Sequence, residues 1–422
     1  MTSRGLPTPH PDELDPLSPA LLEEPSAYYQ SLLAHAPVYR MGGARAVLVA
    51  SWQRVAEALE RPDDFSANLT GLLVRGAAGG LELLDLAGMG VVSDSIANAD
   101  EPDHAVHRRI VQRGFGAEAV ERLEPELRRF ARERLAPFLA AGGGDFMSGV
   151  AEALPTFATA LVVGLPASDL PQLQRWGMTG GDMLAATLDG ARMGVLVRQT
   201  AEMSRYLEAR LAEGVARIQR EAPAQPTLIE RLAMALARGE IPQRHALGIL
   251  VVLLGAGVES TASLLGSAVR MLAHHVTLQP RLRTKPELLE RFIEEVVRLE
   301  SPFRFHYRVV TRPCELGGVK LQPGDRLLLL WAAANRDPEV FERPGELDLE
   351  RRHLRRHLGF GRGAHFCVGA PLARMEARIV LEELLASGRE LRLDAVHPPR
   401  HVPSFFVRRL ATLSLRLEGG PA

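Results

Sequence analysis

The residues best equipped for chemistry lie in one run, Phe360-Gly361-Arg362-Gly363-Ala364-His365-Phe366-Cys367-Val368-Gly369. Glycines stand four and six residues before Cys367, where they permit a tight loop and a close backbone approach to something flat. Val368, Leu372, Met375 and Ile379 then recur at helical spacing, and Pro371 suits a first turn. Cys367 is therefore expected at a helix N-terminus, where backbone N–H groups and the dipole stabilise a thiolate. A thiolate so placed can serve as a nucleophile, a redox thiol or a metal ligand. The other cysteine, Cys314, is too distant in sequence for a dithiol motif, and a zinc site would need three more ligands at short spacing.

A second group is Ala256-Gly257-Val258-Glu259-Ser260-Thr261. Gly257 leaves room beside the chain, and the Ser260 hydroxyl can bond back to the Ala256 carbonyl, opening the helical ladder. Burial would raise the pKa of Glu259 toward working pH. The third is Glu295-Val296-Val297-Arg298, whose charged ends are neighbours on a helix and alone would read as a surface ion pair.

The elements that must position these groups are mostly helical. Leu196, Met203, Leu207, Leu211 and Ile218 form one stripe of a long amphipathic helix that Pro223 and Pro226 bring to an end. Ala246 to Ala273 reads as a second long helix whose first half, Ala246 to Val258, is apolar on all sides. That run of 13 residues falls short of the roughly 18–20 needed to span a bilayer and meets Glu259, so an interior helix is expected rather than a membrane anchor. Strand signals cluster late. They are Val309 to Thr311, a hairpin of Cys314 to Leu316 and Val319 to Leu321 about Gly317-Gly318, and alternation at Leu413, Leu415 and Leu417. Interruptions at Gly142 to Gly144 and from Gly71 to Gly90 are too short or too apolar to divide the chain. The expected fold is mainly α, one large helical domain over residues 1–422 with small accessory sheets and a flexible segment over 1–17.

Hydrophobic residues make up 46% of the 422, enough for a large core, and the formal charge is −1. That balance, without interleaved aromatics on a basic domain, argues against nucleic-acid binding. Two cysteines suit a reducing compartment, and Met1 to Pro25, acidic and proline-rich, is not a secretory signal. Cytoplasmic localisation is the expectation.

The ten-residue run resembles the heme-binding loop of the cytochrome P450 family. The resemblance extends from about Ser18 to Val407. It implies the P450 fold, heme b (iron protoporphyrin IX) as cofactor, and Cys367 as the metal ligand, with Phe360, Gly361, Gly369 and Ala256 bordering the heme. Glu295 and Arg298, followed by Ser301-Pro302, are similar to the family's E-x-x-R motif, which implies a buried structural pair pinning the region before Cys367. For the heme propionates the resemblance supplies His104 and Arg108, Arg308, and His365, with His357 and His107 as weaker alternatives. Glu259 and Ser260 match the acid–alcohol pair that relays protons. Serine departs from the family's usual threonine and loses the methyl that restricts its rotamer, so Thr261 is a candidate to share the role.

Family substrate regions map onto Leu84, Leu86, Met89, Met183, Leu184, Phe303, Phe305, Phe405 and Phe406, implying an apolar small molecule, with Arg304 and His306 as polar anchors. Arg109 and Arg113 are implied contacts for a separate ferredoxin, itself reduced by a ferredoxin reductase. Arg351, Arg352, Arg355 and Arg356 read equally well as docking residues or as a solvated charged face. The expected activity is oxygenation of an apolar substrate with electrons from those partners. Alternatives are peroxygenase, oxidative coupling or ring-forming chemistry on the same fold, and a non-enzymatic heme sensor.

Overall fold

A computed structural model describes residues 8–42, 45–76, 80–86, 95–188, 190–221 and 223–419. The helices that frame the interior are α1 (Asp103–Phe115), α2 (Glu124–Ala140), α3 (Ala153–Val163), α4 (Leu170–Gly177), α5 (Gly190–Arg220), α6 (Leu228–Ala237), α7 (Gln243–His274), α8 (Leu288–Glu300) and α9 (Ala370–Ala386). Helix α5 forms as its stripe predicts, with Leu196, Met203, Leu207 and Leu211 buried, and it ends at Arg220 before the prolines.

Helix α7 is the axis of the fold. At 32 residues it is about 48 Å long. It packs against α3, α4, α5, α8 and α9, so every side needs apolar residues rather than a single stripe. The helix holds an 18-residue window of mean hydropathy 1.8, long and apolar enough to cross a bilayer, so the shorter apolar run read from sequence understates it. The discriminating observation is packing: 61% of that window is buried within the protein.

The main sheet contains β1 (Val38–Arg40), β2 (Ala46–Val49), β3 (Phe65–Ser66), β4 (His306–Val310) and β5 (Arg326–Leu329), in spatial order β1-β2-β5-β4-β3. Only the β5–β2 pairing is parallel. Strand β4 starts three residues earlier than its apolar pattern predicts because its pairing with β5 reaches back to His306. The hairpin of Cys314–Leu316 and Val319–Leu321 forms as read, and Ser414–Glu418 pairs with Glu390–Leu393 and Gly143–Asp145.

Residues 8–17 lie within the stretch expected to be flexible, yet they are held. Ser31 donates to the Pro9 carbonyl at 2.7 Å, Tyr39 donates to Asp12, and Leu17 is buried. Met89 and part of the Gly71 to Gly90 stretch lie outside the described residues.

Candidate active site

One cavity collects most of the residues singled out by sequence. It holds about 1510 Å³ of space free of protein atoms, part of it open to solvent. Phe360, Gly361, Cys367 and Gly369 line one part of it, and Ala256, Ser260 and Thr261 contribute from α7. Arg108, Arg308 and His365 also border it. His104 and Glu259 do not.

The cysteine loop turns where its glycines allow. Gly361 and Gly363 have φ of +72° and +75°, the left-handed region that disfavours a side chain. Cys367 N–H donates to the Phe360 carbonyl at 2.8 Å, closing the loop, and α9 begins three residues later with Pro371 in its first turn. The sulfur is exposed to the cavity while protein encloses the residue on its other sides. Burial raises the thiol pKa from its ordinary value, while the N–H groups of Gly369 and Ala370, as expected of a helix start, and the charge of Arg108 pull toward the thiolate.

Basic side chains gather around the cavity, and Arg308 and Arg108 form no ion pair among the described residues. Arg308 is buried and donates to the Tyr307 carbonyl at 2.8 Å. Burial pushes its guanidinium down to about 10, against a favourable pull from Asp100. Arg108 donates to the Phe366 carbonyl, tying α1 to the cysteine loop. His104 stacks on His365 with ring centroids 4.0 Å apart, and bonds Glu101 through Nδ1 at 3.0 Å. His104 Nε2 and His365 Nδ1 are buried without partners among the described residues. Burial first, then Arg308 and His104, pushes His365 down to about 3, so it is neutral. His107 and His357, the weaker alternatives, are committed elsewhere: His107 meets His245 at 3.1 Å, and His357 meets Glu294 at 2.8 Å.

On α7, Ser260 donates to the Ala256 carbonyl at 2.6 Å, the back-bond expected from its position. The room beside Gly257 is taken by Thr159, whose hydroxyl would lie 2.8 Å from an added Cβ. Glu259 leaves the helix on another side and is fully buried; the two side chains make no direct acid–alcohol hydrogen bond. Its Oε1 accepts from Arg409 at 3.1 Å, and Arg409 also meets Glu152 at 3.2 Å. Burial pushes Glu259 up to about 7 although Arg409 pulls down, and Asp182 adds to the rise.

Supporting contacts lie behind the loop. Glu295 and Arg298 are both inaccessible and meet at 2.6 and 2.9 Å. Arg351 joins Glu295 at 2.9 Å, so it belongs to the core and not to an exposed basic face. Arg298 also donates to the carbonyls of Asn335, Pro344 and Glu346, pinning the segment that leads to Cys367. A second cluster escaped sequence reading. Burial would raise Glu294, but hydrogen bonds from His357 and Arg374 carry it down to about 2, and Arg374 lies 4.4 Å over the Phe360 ring.

Among the expected substrate residues, Phe303 lines the cavity, whereas Leu84, Leu86, Met183, Leu184, Phe305, Phe405 and Phe406 do not. Phe305 and Phe405 pack together in the core at 5.3 Å, and Phe406 stacks on Phe303 at 4.7 Å. Arg304 is buried with its guanidinium donating to the Leu22 carbonyl, away from the cavity, while His306 does border it. Ile96, Thr159, Val163 and Leu253 line the cavity and carried no sequence signal beyond hydrophobic or helical pattern.

The cytochrome P450 family model matches residues 194–389. Cytochrome P450 144 of Mycobacterium tuberculosis is 38% identical over 397 residues, covering 94% of this chain and 90% of that protein. Cytochrome P450 monooxygenase PikC of Streptomyces venezuelae is 30% identical, over 97% of this chain and 94% of its own. The crystal structure of CYP109E1 from Bacillus megaterium in complex with testosterone superposes with a TM-score of 0.80 at 27% identity, covering 95% of this chain and 100% of that one. This chain belongs to the cytochrome P450 family. It is a bacterial-type monooxygenase of a family whose members bind heme.

The residues present fit such a group. A flat dianionic macrocycle needs a soft donor and cations near its carboxylates. The cavity offers the Cys367 sulfur, the Arg308 guanidinium without an acid, and the partnerless nitrogen of His365.

Proposed function

We propose that the chain is one catalytic unit in which Cys367 is the protein ligand to heme iron, and that it oxygenates an apolar small molecule. Arg108, Arg308 and His365 hold the propionates, with His104 stacked on His365 to position its ring; Phe360, Gly361, Gly369 and Ala256 border the ring of the heme. The carrying observation is that an accessible sulfur and an unpaired buried guanidinium share one cavity with the irregular part of α7. When bound, heme supplies a redox metal that activates dioxygen, with electron density donated by the thiolate. The direct test is product formation by the reconstituted holoenzyme with ferredoxin, its reductase and NAD(P)H; absence of product across a library of compounds that do bind would defeat the reading.

Glu259 takes its proton from the side of Arg409 and Glu152, and Ser260 passes it into the cavity after releasing the Ala256 carbonyl. Thr261 provides a second hydroxyl on the same helix. A carboxyl with a pKa of about 7 is protonated below that pH and loses its proton above it. Turnover therefore falls as pH rises through 7. Glu259→Gln should lower turnover by about 100-fold at pH 6 and flatten the profile between pH 6 and 8. A variant retaining the wild-type slope would remove Glu259 from proton delivery.

The substrate carries a hydrogen-bond acceptor. The Trp331 indole N–H can only donate, and it does so to His306 Nδ1 at 2.7 Å. Burial and then Arg308 push His306 down to about 4, so the ring is neutral and its proton resides on Nε2. The ring thus offers one donor to a cavity otherwise rich in apolar groups, a selection compatible with the steroid named with CYP109E1. His306→Phe should weaken binding of carbonyl-bearing compounds about tenfold and leave hydrocarbons within about threefold, as read by substrate-induced spin-state titration. Equal losses for both sets would exclude the role.

Electrons come from a separate ferredoxin and reductase in the cytoplasm, docking near the exposed Arg109 and Arg113. A second reading, a peroxygenase, draws support from the Ser260 hydroxyl being tied to its own helix; faster turnover with peroxide than with the redox partners would favour it.

A further inference from the structure

Away from the heme cavity, α1 and α6 enclose a concave cleft walled by the loop containing Pro223 and Pro226. Arg109 and Arg113 face it from α1, Arg231 from α6, and Arg238 and Glu240 from the chain just after α6. Ile110 and Met234 contribute apolar surface beneath them.

The charges do not balance. Among the described residues Glu240 is the only acid lining the cleft, and its two oxygens are already engaged, one by Arg238 at 2.6 Å and one by Arg109 at 3.2 Å. Arg113 and Arg231 have no acidic partner among the described residues. Arg231 Nε is buried without an acceptor among the described residues, a costly arrangement for a group that prefers a bidentate anion. Burial, with Arg113 and Arg122 nearby, lowers its pKa, which is the response of a cation crowded by cations. A protein carboxylate elsewhere relieves this kind of crowding, as the glutamates around Arg128 do.

We infer that this cleft is a binding site for a phosphate-type anion, with Arg231 and Arg113 as its main ligands and Glu240 holding Arg109 and Arg238 in place. A guanidinium pair matches two oxygens of one phosphoryl group, and a second phosphoryl group would reach the outer arginines. Arg109 and Arg113 are also the proposed ferredoxin contacts, so the phosphate-type anion is inferred to bind in the cleft in the absence of any ferredoxin, and its test, a direct binding measurement, is separable from that of the monooxygenase reading.

The test is calorimetric titration of the holoenzyme with inorganic phosphate and with pyrophosphate, at constant ionic strength maintained with chloride. Saturable binding is expected, tighter for pyrophosphate, and weakened at least tenfold by Arg231→Gln and by Arg113→Gln. Arg129→Gln, which alters an exposed arginine paired with Glu133 on α2, should leave it unchanged. An unaltered reduced carbon monoxide spectrum and melting temperature will certify each variant as folded. No saturable binding of either anion overturns the inference. So does equal weakening by Arg129→Gln, which would mark a diffuse charge effect, or binding confined to an acidic polypeptide such as polyglutamate, which would make the cleft a protein-docking surface.

Discussion

Cys367→Ala will abolish the red-shifted Soret band of the reduced carbon monoxide complex and cut turnover to less than about one hundredth. Loss of a contact that merely supports a metal ligand costs 10–100-fold, and this change removes the ligand itself. The variant should still fold. Cys367 forms its loop through its backbone N–H, which donates to the Phe360 carbonyl, and alanine keeps that bond. The loop's left-handed turns at Gly361 and Gly363 are likewise untouched. Heme should still associate, held by Arg308, Arg108 and His365, but without sulfur on the metal. Spectra of the ferrous carbon monoxide complex, alongside heme content by pyridine assay, separate these effects. Persistence of the red-shifted band would mean another atom supplies the ligand and would end the assignment. The thiol's raised pKa sharpens the expectation. Burial disfavours the bare thiolate, so a bound metal cation would be what compensates a negative sulfur there.

How much of this was legible in sequence follows from how far each feature reaches along the chain. The cysteine loop needs only ten consecutive residues, because glycine φ values, a closing N–H bond and a helix start are local properties. Helices α5 and α7 were legible for the same reason. Ion pairs across sequence distance were not. Arg351 sits among arginines in sequence and looks like surface, yet its partner Glu295 is 56 positions away and the pair is buried. Glu294 is adjacent to the recognised Glu295, but what it binds, His357 and Arg374, depends on how α8 meets the segment before the cysteine loop and α9. The phenylalanines illustrate the opposite error. Phe303, Phe305, Phe405 and Phe406 share a chemical character, and only the packing of one core decides that Phe303 alone reaches the cavity. Position on α7 similarly separates Ser260 from Glu259, since neighbours on a helix point about 100° apart.

Arg298→Ala should prevent accumulation of folded holoenzyme altogether, through stability rather than chemistry. Arg298 and Glu295 are both without solvent exposure, and the guanidinium also satisfies carbonyls of Asn335, Pro344 and Glu346. Alanine would leave the Asn335 and Pro344 carbonyls short of a donor, the Glu346 carbonyl keeping Arg351, and among the described residues Glu295 would retain Arg351 as its cation. Removing one partner of a buried ion pair costs about 3–5 kcal/mol, and each orphaned carbonyl adds roughly 1 kcal/mol or more. A total in that range rivals the roughly 5–15 kcal/mol that holds a typical protein folded. Arg298→Lys keeps the charge but lacks the planar fork of donors, so it should yield some holoenzyme with a melting temperature lowered by at least about 5 °C. Purified yield, heme content and thermal melts report these outcomes directly, and a melting temperature within 2 °C of wild type for the lysine variant would show that the fork is not what pins the segment. The contrast with Cys367→Ala carries the argument. Both changes abolish activity, but one should leave a folded protein with altered ligation, and the other should leave no folded protein to ligate.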